Sequence, residues 1–510
     1  MRISNNQQVI LGPPGTGKST YCLNHIDDLL KQGESPDKIA FVSFTKKAVS
    51  EAIDRSKEKF KLSSKQLPLF KTVHAMCFSA LGIGKSDVIS KEHYRELGEW
   101  LGYRFEGTWD ESEGVPIGSD KGDTLLFLDN LARVTQKPLR EIWEENYQEC
   151  EWDELERFQE GYEDFKSSKY IMDFTDMLSA YISMCDSSNA KYVIVDEAQD
   201  LSSLQWAVLK HAFENVKKTI IAGDDDQSIY KWSGADIKSF LALEGEQTVL
   251  HQSYRLPKEV YNIANGIVSK IENRFDKPFS PRDSTGFVDF ANSLEQVEIG
   301  KEKTLFLIRN VYLGNKVHDF MLRMGIPYLT KYGYSSVHSK HVKAMKAIEK
   351  LRNVEMISGA EVKTMYDSMR VGQFLNRGFK VQVSNIIDTK MFSFSDLRDK
   401  YGLKDIAPWY NCLQGIGDEL IGYYQRIQNN GYSLTHVPNC SVSTIHAAKG
   451  GEADHVILLS DMAYRSHNEY IKEPDNERRV AYVAVTRAKE KLTIVQPQSK
   501  LYFDYYGESQ

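Results

Sequence analysis

The 510-residue chain has no apolar run approaching the roughly 20 residues that a membrane-crossing helix needs. Its first residues, MRISNNQQVILGPPG, lack the long apolar core and cleavage site of a secretory signal. The six cysteines (Cys22, Cys77, Cys150, Cys185, Cys412, Cys440) are scattered, with no CxxC pair. That argues against a zinc knuckle or a disulfide framework and fits a reducing cytoplasm. There is no low-complexity tract and no internal repeat. An excess of positive charge is also missing, since the net charge is −7. Its distribution matters more than its total. Residues 86–165 carry 22 acidic against 8 basic side chains, a local balance of −14 that leaves the rest of the chain at +7. The acidity belongs to one segment and does not exclude a nucleic-acid partner for the remainder.

What is present is a repeated unit. QQVIL, KIAFVSF, KYVIVDEAQD and KKTIIAGDDDQ are short Val/Ile-rich runs, most of them ending in polar or acidic residues and separated by helical stretches. Such alternation predicts an α/β fold with parallel sheets covered on both faces. The pattern restarts at about Gln247 with QTVLHQSYR, TLFLIRN, SVSTIHAAKGG, DHVILLSD and KLTIVQP. The expected organisation is therefore two α/β domains, 1–85 with 166–246 and 247–333 with 441–510, each carrying a largely helical insertion. The first insertion is the acidic, Trp-rich segment 86–165 (Trp100, Trp109, Trp143, Trp152), and the second is 334–440.

GPPGTGKS at residues 12–19 fits GxxxxGK[ST] between a predicted strand and helix. Backbone N–H groups of Gly12, Pro13, Pro14, Gly15, Thr16, Gly17, Lys18, Ser19 and Thr20, apart from the prolines, would wrap nucleotide phosphates at a helix N-terminus. Lys18 would reach the β/γ-phosphates and Ser19 a Mg²⁺. In VIVDEAQD a buried strand delivers Asp196 and Glu197 at its C-terminal end. Asp196 is placed to hold Mg²⁺ through water and Glu197 to polarise an attacking water. Tyr254 and Arg255 follow the next strand, and Arg487 ends a helical segment. Arginine stabilises the spreading charge of phosphoryl transfer, and delivery from another domain would make hydrolysis depend on closure.

The order of these blocks resembles superfamily 1A helicases of the UvrD/Rep/PcrA type. GPPGTGKS is similar to their motif I, FVSFTKKAVSEA to Ia, TVHAMCFSAL to Ib, VDEAQD to II and AGDDDQSIYKWSGAD to III. HQSYRLP is similar to IV, STIHAAKGGEADHVILL to V and ERRVAYVAVTRAKEKL to VI. The resemblance implies two RecA-like P-loop NTPase domains that hold Mg-ATP and single-stranded DNA. It implies that Gln227 senses the γ-phosphate, that Arg255 and Arg487 are arginine fingers, that Tyr254 stacks on the base and that Glu452 contacts the ribose. On the DNA side it implies stacking by Phe44, Tyr230 and Trp232. It also places Thr45, Thr72, His74, Arg309, Thr444 and His446 near the backbone. Stacking suits a motor that must cross any sequence.

Only 11 residues precede Gly12, where the family carries a Gln-bearing helix that reads adenine, and motif V reads KGGEAD. The second insertion is shorter than in full-sized relatives, so a compact motor is expected. The resulting expectation is a cytoplasmic, DNA-dependent ATPase and 3′→5′ helicase acting on single-stranded DNA and single/double-strand junctions. A second reading keeps the ATPase as a translocase that displaces proteins or powers a partner nuclease, with the acidic segment 86–165 as a protein-docking face. A third is a P-loop switch without motor activity, against which Glu197, Gln227 and the two arginines argue.

Overall fold

The computed structural model describes residues 1–105, 120–146 and 149–509; Trp109 and part of the acidic stretch fall outside them. The chain divides into two units, chiefly Met1–Thr285 with Lys472–Thr486, and Gly286–Ile471 with Arg487–Gly507.

The first unit is built on six strands: β1 Gln7–Leu11, β2 Ile39–Ser43, β3 Phe70–Lys71, β4 Tyr192–Asp196, β5 Lys218–Gly223 and β6 Glu246–Val249. They form one sheet in the order β3-β2-β4-β5-β1-β6, with every pairing parallel. Successive side chains on a strand point to opposite faces. Accordingly Val9, Leu11, Ala40, Val42, Val193, Val195 and Ile221 enter one core, and Ile10, Ile39, Phe41, Ile194, Ile220 and Ala222 enter the other. Burial on both faces explains why these strands read as continuous apolar runs.

The second unit opens with β7 Phe287–Ala291, β8 Thr304–Ile308 and β9 Tyr328–Leu329. The short ribbon of β10 Ile357–Ser358 and β11 Met391–Phe392 belongs to its insertion, and β12 Cys440–Thr444, β13 Ala453–Leu459 and β14 Ala488–Val495 complete the main sheet. That sheet runs β7-β14-β13-β8-β12-β9, again wholly parallel. Both sheets are flanked by helices, so the α/β class and the RecA-like pair are as expected.

The domain boundary is corrected. β6, expected to open the second domain, pairs with β1 from Gln8↔Glu246 to Leu11↔Val249 and extends the first sheet. Helix Pro474–Val485 also belongs to the first unit, where Arg478 donates to the Lys270 carbonyl at 2.8 Å and Asp475 accepts from the Glu272 N–H at 3.1 Å. These contacts are made between segments 200 residues apart, which strand patterning cannot register.

Each insertion carries its own core. In the first, helices Lys91–Leu101, Lys121–Thr135 and Trp152–Lys169 bury Tyr94, Leu97, Leu125, Leu128, Phe158, Tyr162 and Phe165 together. Arg140 lies over both Trp143 and Trp152, 4.5 and 4.7 Å from their ring centroids. In the second, Ile348, Leu351, Met365, Tyr366, Tyr423 and Tyr424 lie in one buried cluster. Among the described residues no helix is long and apolar enough to cross a membrane.

Candidate functional site

The loop between β1 and helix Lys18–Lys31 sits at the C-terminal edge of a central strand, where open parallel sheets bind ligands. Gly15 and Gly17 take positive φ values of 72° and 83°, which let the backbone turn its N–H groups inward. Thr16 Oγ1 donates to the Pro13 carbonyl at 2.8 Å, and Lys18 Nζ donates to the Gly12 carbonyl at 2.5 Å. Lys18, only 8% exposed, is thereby drawn back over the loop.

Across the loop, Ser19 Oγ donates to Asp196 Oδ2 at 2.8 Å. Asp196 is fully buried, and burial together with neighbouring Glu197 pushes its carboxyl up to about 6, against the pull of Ser19 and Lys18. A carboxylate so placed is short of positive charge, which fits a donor pair for a divalent cation. Glu197 has φ 54°, and four other described non-glycine residues share the left-handed region. Three of those, Lys61, Gln136 and Tyr170, are ordinary helix C-caps. Glu197 instead follows β4 directly, so its strain belongs to the site.

Motif II is tied to the β5 loop by Gln199. Its Nε2 donates to Glu197 Oε2 at 2.6 Å, and its Oε1 accepts from the Asp224 N–H at 3.0 Å. Ser228 Oγ donates to the Gln199 carbonyl at 2.9 Å, and Gln227 Nε2 donates to Asp224 Oδ2 at 2.6 Å. A few residues on, Tyr230 stacks against Phe44, with centroids 5.5 Å apart and planes 28° from parallel. Phe44, His74 and Ser233 line a small cavity of about 30 Å³, and Trp232 is half-buried in the turn Lys231–Ser233. One loop thus runs from the Gln199–Asp224–Gln227 hydrogen bonds to the Phe44–Tyr230 stack.

Residues 1–248 match the UvrD/REP helicase N-terminal domain, and residues 425–499 match the UvrD-like helicase C-terminal domain. The chain belongs to the UvrD-like helicase family. A protein described as ATP-dependent DNA helicase PcrA from Staphylococcus epidermidis is 22% identical, over 100% of this chain and 83% of the relative. Its namesake from Staphylococcus aureus is also 22% identical, over 97% and 82% respectively.

The remaining expected residues fall in two groups within this UvrD-like chain. Tyr254 and Arg255 lie in the first unit with the P-loop, not in the second domain as expected for both. The Tyr254 N–H donates to the Gly15 carbonyl at 2.9 Å and Ser253 Oγ donates to the Pro14 carbonyl at 2.8 Å, while the Tyr254 ring stays 75% exposed. The reason is β6: its pairing with β1 carries the chain straight over the loop. Arg487, Glu452, Arg309, Thr444 and His446 lie in the second unit. Arg487 is 1% exposed and donates to the Gly451 carbonyl at 3.2 Å; Glu452 is half-buried, with Lys489 Nζ at 3.8 Å.

Thr45 and Thr72 are helix N-caps, accepting from the N–H of Ala48 at 3.2 Å and Ala75 at 3.3 Å. Thr444 accepts likewise from Ala447 at 3.2 Å. Each of these hydroxyls accepts one bond as a cap and keeps its own O–H for donation. His74 meets Phe174 edge-on at 6.1 Å, and burial lowers its pKa to about 4, so it is neutral at pH 7.

Motif reading missed Gln199, Ser253, Arg274, Lys277 and Arg479. Gln199 was visible inside VDEAQD. Of Gln7 and Gln8, the nearest upstream glutamines, Gln7 uses its amide on the backbone of Ile3 at 2.8 Å and of Glu244 at 2.5 Å, a structural clamp.

Proposed function

We propose that the protein is an ATP-driven motor that moves 3′→5′ along single-stranded DNA and unwinds duplex. The observation that carries this reading is the continuous linkage Glu197–Gln199–Asp224–Gln227 leading into the Phe44–Tyr230 stack. A phosphate sensor and a base-stacking surface on one short loop suit a machine that couples hydrolysis to stepping.

On this reading the P-loop N–H groups and Lys18 bind the phosphates, and Tyr254 offers its exposed ring to the base. Ser19 and Asp196 would hold Mg²⁺, which when bound would neutralise phosphate charge. Glu197 orients and deprotonates the attacking water, and its rigid backbone fixes the direction of attack. Gln227 contacts the γ-phosphate. Arg255 stabilises charge on the transferring group, and Arg487 and Glu452 keep the phosphate and ribose roles that the resemblance implies. Phe44, Tyr230 and Trp232 stack on bases. Thr45, Thr72, His74, Arg309, Thr444 and His446 serve the DNA backbone. His74 does so as a neutral donor.

A strand-displacement assay on duplexes with a 3′ or a 5′ single-stranded tail tests the proposal. Unwinding from the 3′ tail alone is expected, and unwinding only from a 5′ tail would reverse the polarity. The self-contained core of the acidic insertion favours a second reading, a translocase that uses this segment to dock a protein. It predicts ATP-driven movement on single strands without displacement in the same assay.

A further inference from the structure

Behind the β5 loop lies a second charged constellation, of which only Asp224 enters the linkage described above. Asp224, Asp225 and Asp226 are all 0% exposed, and their carboxylate oxygens lie within 4.8 Å of one another. Three buried carboxylates so close are tolerated only with cations among them. Lys277 provides the central one. Its Nζ lies 3.1 Å from Asp224 Oδ1 and 2.7 Å from Asp226 Oδ2, pairs with Asp225 as well, and is itself buried. Three ammonium donors meet three acceptors, so the lysine stands where a metal ion would otherwise be needed.

Further groups complete the shell. Arg274 grips Asp226 at two points, Nε to Oδ1 at 2.9 Å and Nη2 to Oδ2 at 2.8 Å. The Phe275 N–H donates to Asp225 Oδ2 at 2.9 Å. Arg479 Nε donates to the Asp225 carbonyl at 3.0 Å and its Nη2 to the Asn273 carbonyl at 2.6 Å. Lys277, Arg274 and Arg479 therefore balance the three acids.

The outlet of the cluster is Asp224. Its Oδ1 faces Lys277, and its Oδ2 accepts from Gln227 Nε2 at 2.6 Å. Lys277, with Lys18 further off, holds this carboxyl below its usual range although burial opposes it, so it stays an anionic acceptor. The geometry points to Lys277 as a positioning residue of the ATPase reaction: it fixes the Asp224 carboxylate, and that carboxylate fixes the amide of Gln227 against the γ-phosphate. Arginine cannot substitute, because a planar guanidinium does not reach three carboxylates converging on one point. The inference rests on the reading of Gln227 as the γ-phosphate contact.

A double-mutant cycle under single-turnover, DNA-stimulated conditions tests it, using Lys277→Met, Gln227→Ala and the pair. Lys277→Met is expected to lower the hydrolysis rate at least about tenfold with less than threefold change in ATP affinity, and Lys277→Arg is expected not to rescue it. In the Gln227→Ala background the same change should cost less than about twofold, because the group being positioned is gone. Equal losses in both backgrounds, or an unchanged rate in Lys277→Met, would overturn the positioning role. An unchanged rate in Gln227→Ala alone would instead refute the γ-phosphate reading and the inference with it. Where Lys277→Met does not fold, Lys277→Met/Asp225→Asn removes one charge of each sign, leaves the Asp224–Gln227 bond intact and is read in the same cycle.

Discussion

Glu197 shows what one residue in this fold is asked to do. Its carboxylate is held by Gln199 at 2.6 Å, and its backbone sits in a left-handed conformation that a glutamate adopts only under constraint. Glu197→Gln keeps size and hydrogen bonding but removes the carboxylate proposed as the base. Turnover should fall by a factor on the order of 100 or more while ATP binding persists, as read by single-turnover hydrolysis beside a fluorescent-nucleotide titration. Loss of binding in parallel would assign the residue to nucleotide affinity instead. His74 makes a different statement. With a folded pKa of about 4 against an unfolded value of about 6.5, the unfolded chain takes the proton first on acidification. The stability it contributes is present above pH 6.5, declines as the pH falls and is gone below pH 4, a change of up to about 3 kcal/mol. Urea titrations at pH 7 and pH 5 should therefore differ less for His74→Gln than for the wild type. An equal difference would place the acid sensitivity elsewhere. Both residues could be picked from the sequence by motif, but neither the strain at Glu197 nor the neutrality of His74 could, because each depends on surroundings.

At the scale of elements, the strands with both faces buried were the easiest to read, since β2, β4 and β5 are unbroken apolar runs. β3 and β9, two residues each, give no periodic signal. β6 was visible as a strand, but its sheet was not: with exposed and half-buried residues throughout, its partner is chosen by where the preceding chain leaves it. The pairing of Asp225 and Asp226 with Lys277 and Arg274 has no signature in the local sequence, because the partners lie some 50 residues onward. Helix starts were more legible than their purpose. Thr72 caps Val73–Leu81 through its hydroxyl, so Thr72→Ala should cost about 1 kcal/mol of stability while Thr72→Ser retains most of it. Denaturant unfolding separates the two; equal losses would show that the threonine methyl, not the cap, matters.

For the whole molecule, two parallel sheets of the same architecture each carry a helical insertion with its own core, and the UvrD-like family models match the N-terminal part and a C-terminal segment. The P-loop alone is compatible with many reactions. The loop after β5 narrows them, because it carries Gln227 at one end and the Tyr230 stack at the other. If that loop couples the two ends, hydrolysis must respond to single-stranded DNA, and the response must pass through the aromatics. The most direct measurement is the steady-state ATPase rate of wild type and Trp232→Ala with and without single-stranded DNA. The wild type should be stimulated about tenfold or more, with most of that stimulation lost in the variant and its DNA-free rate kept. A wild-type rate indifferent to DNA would contradict the motor reading.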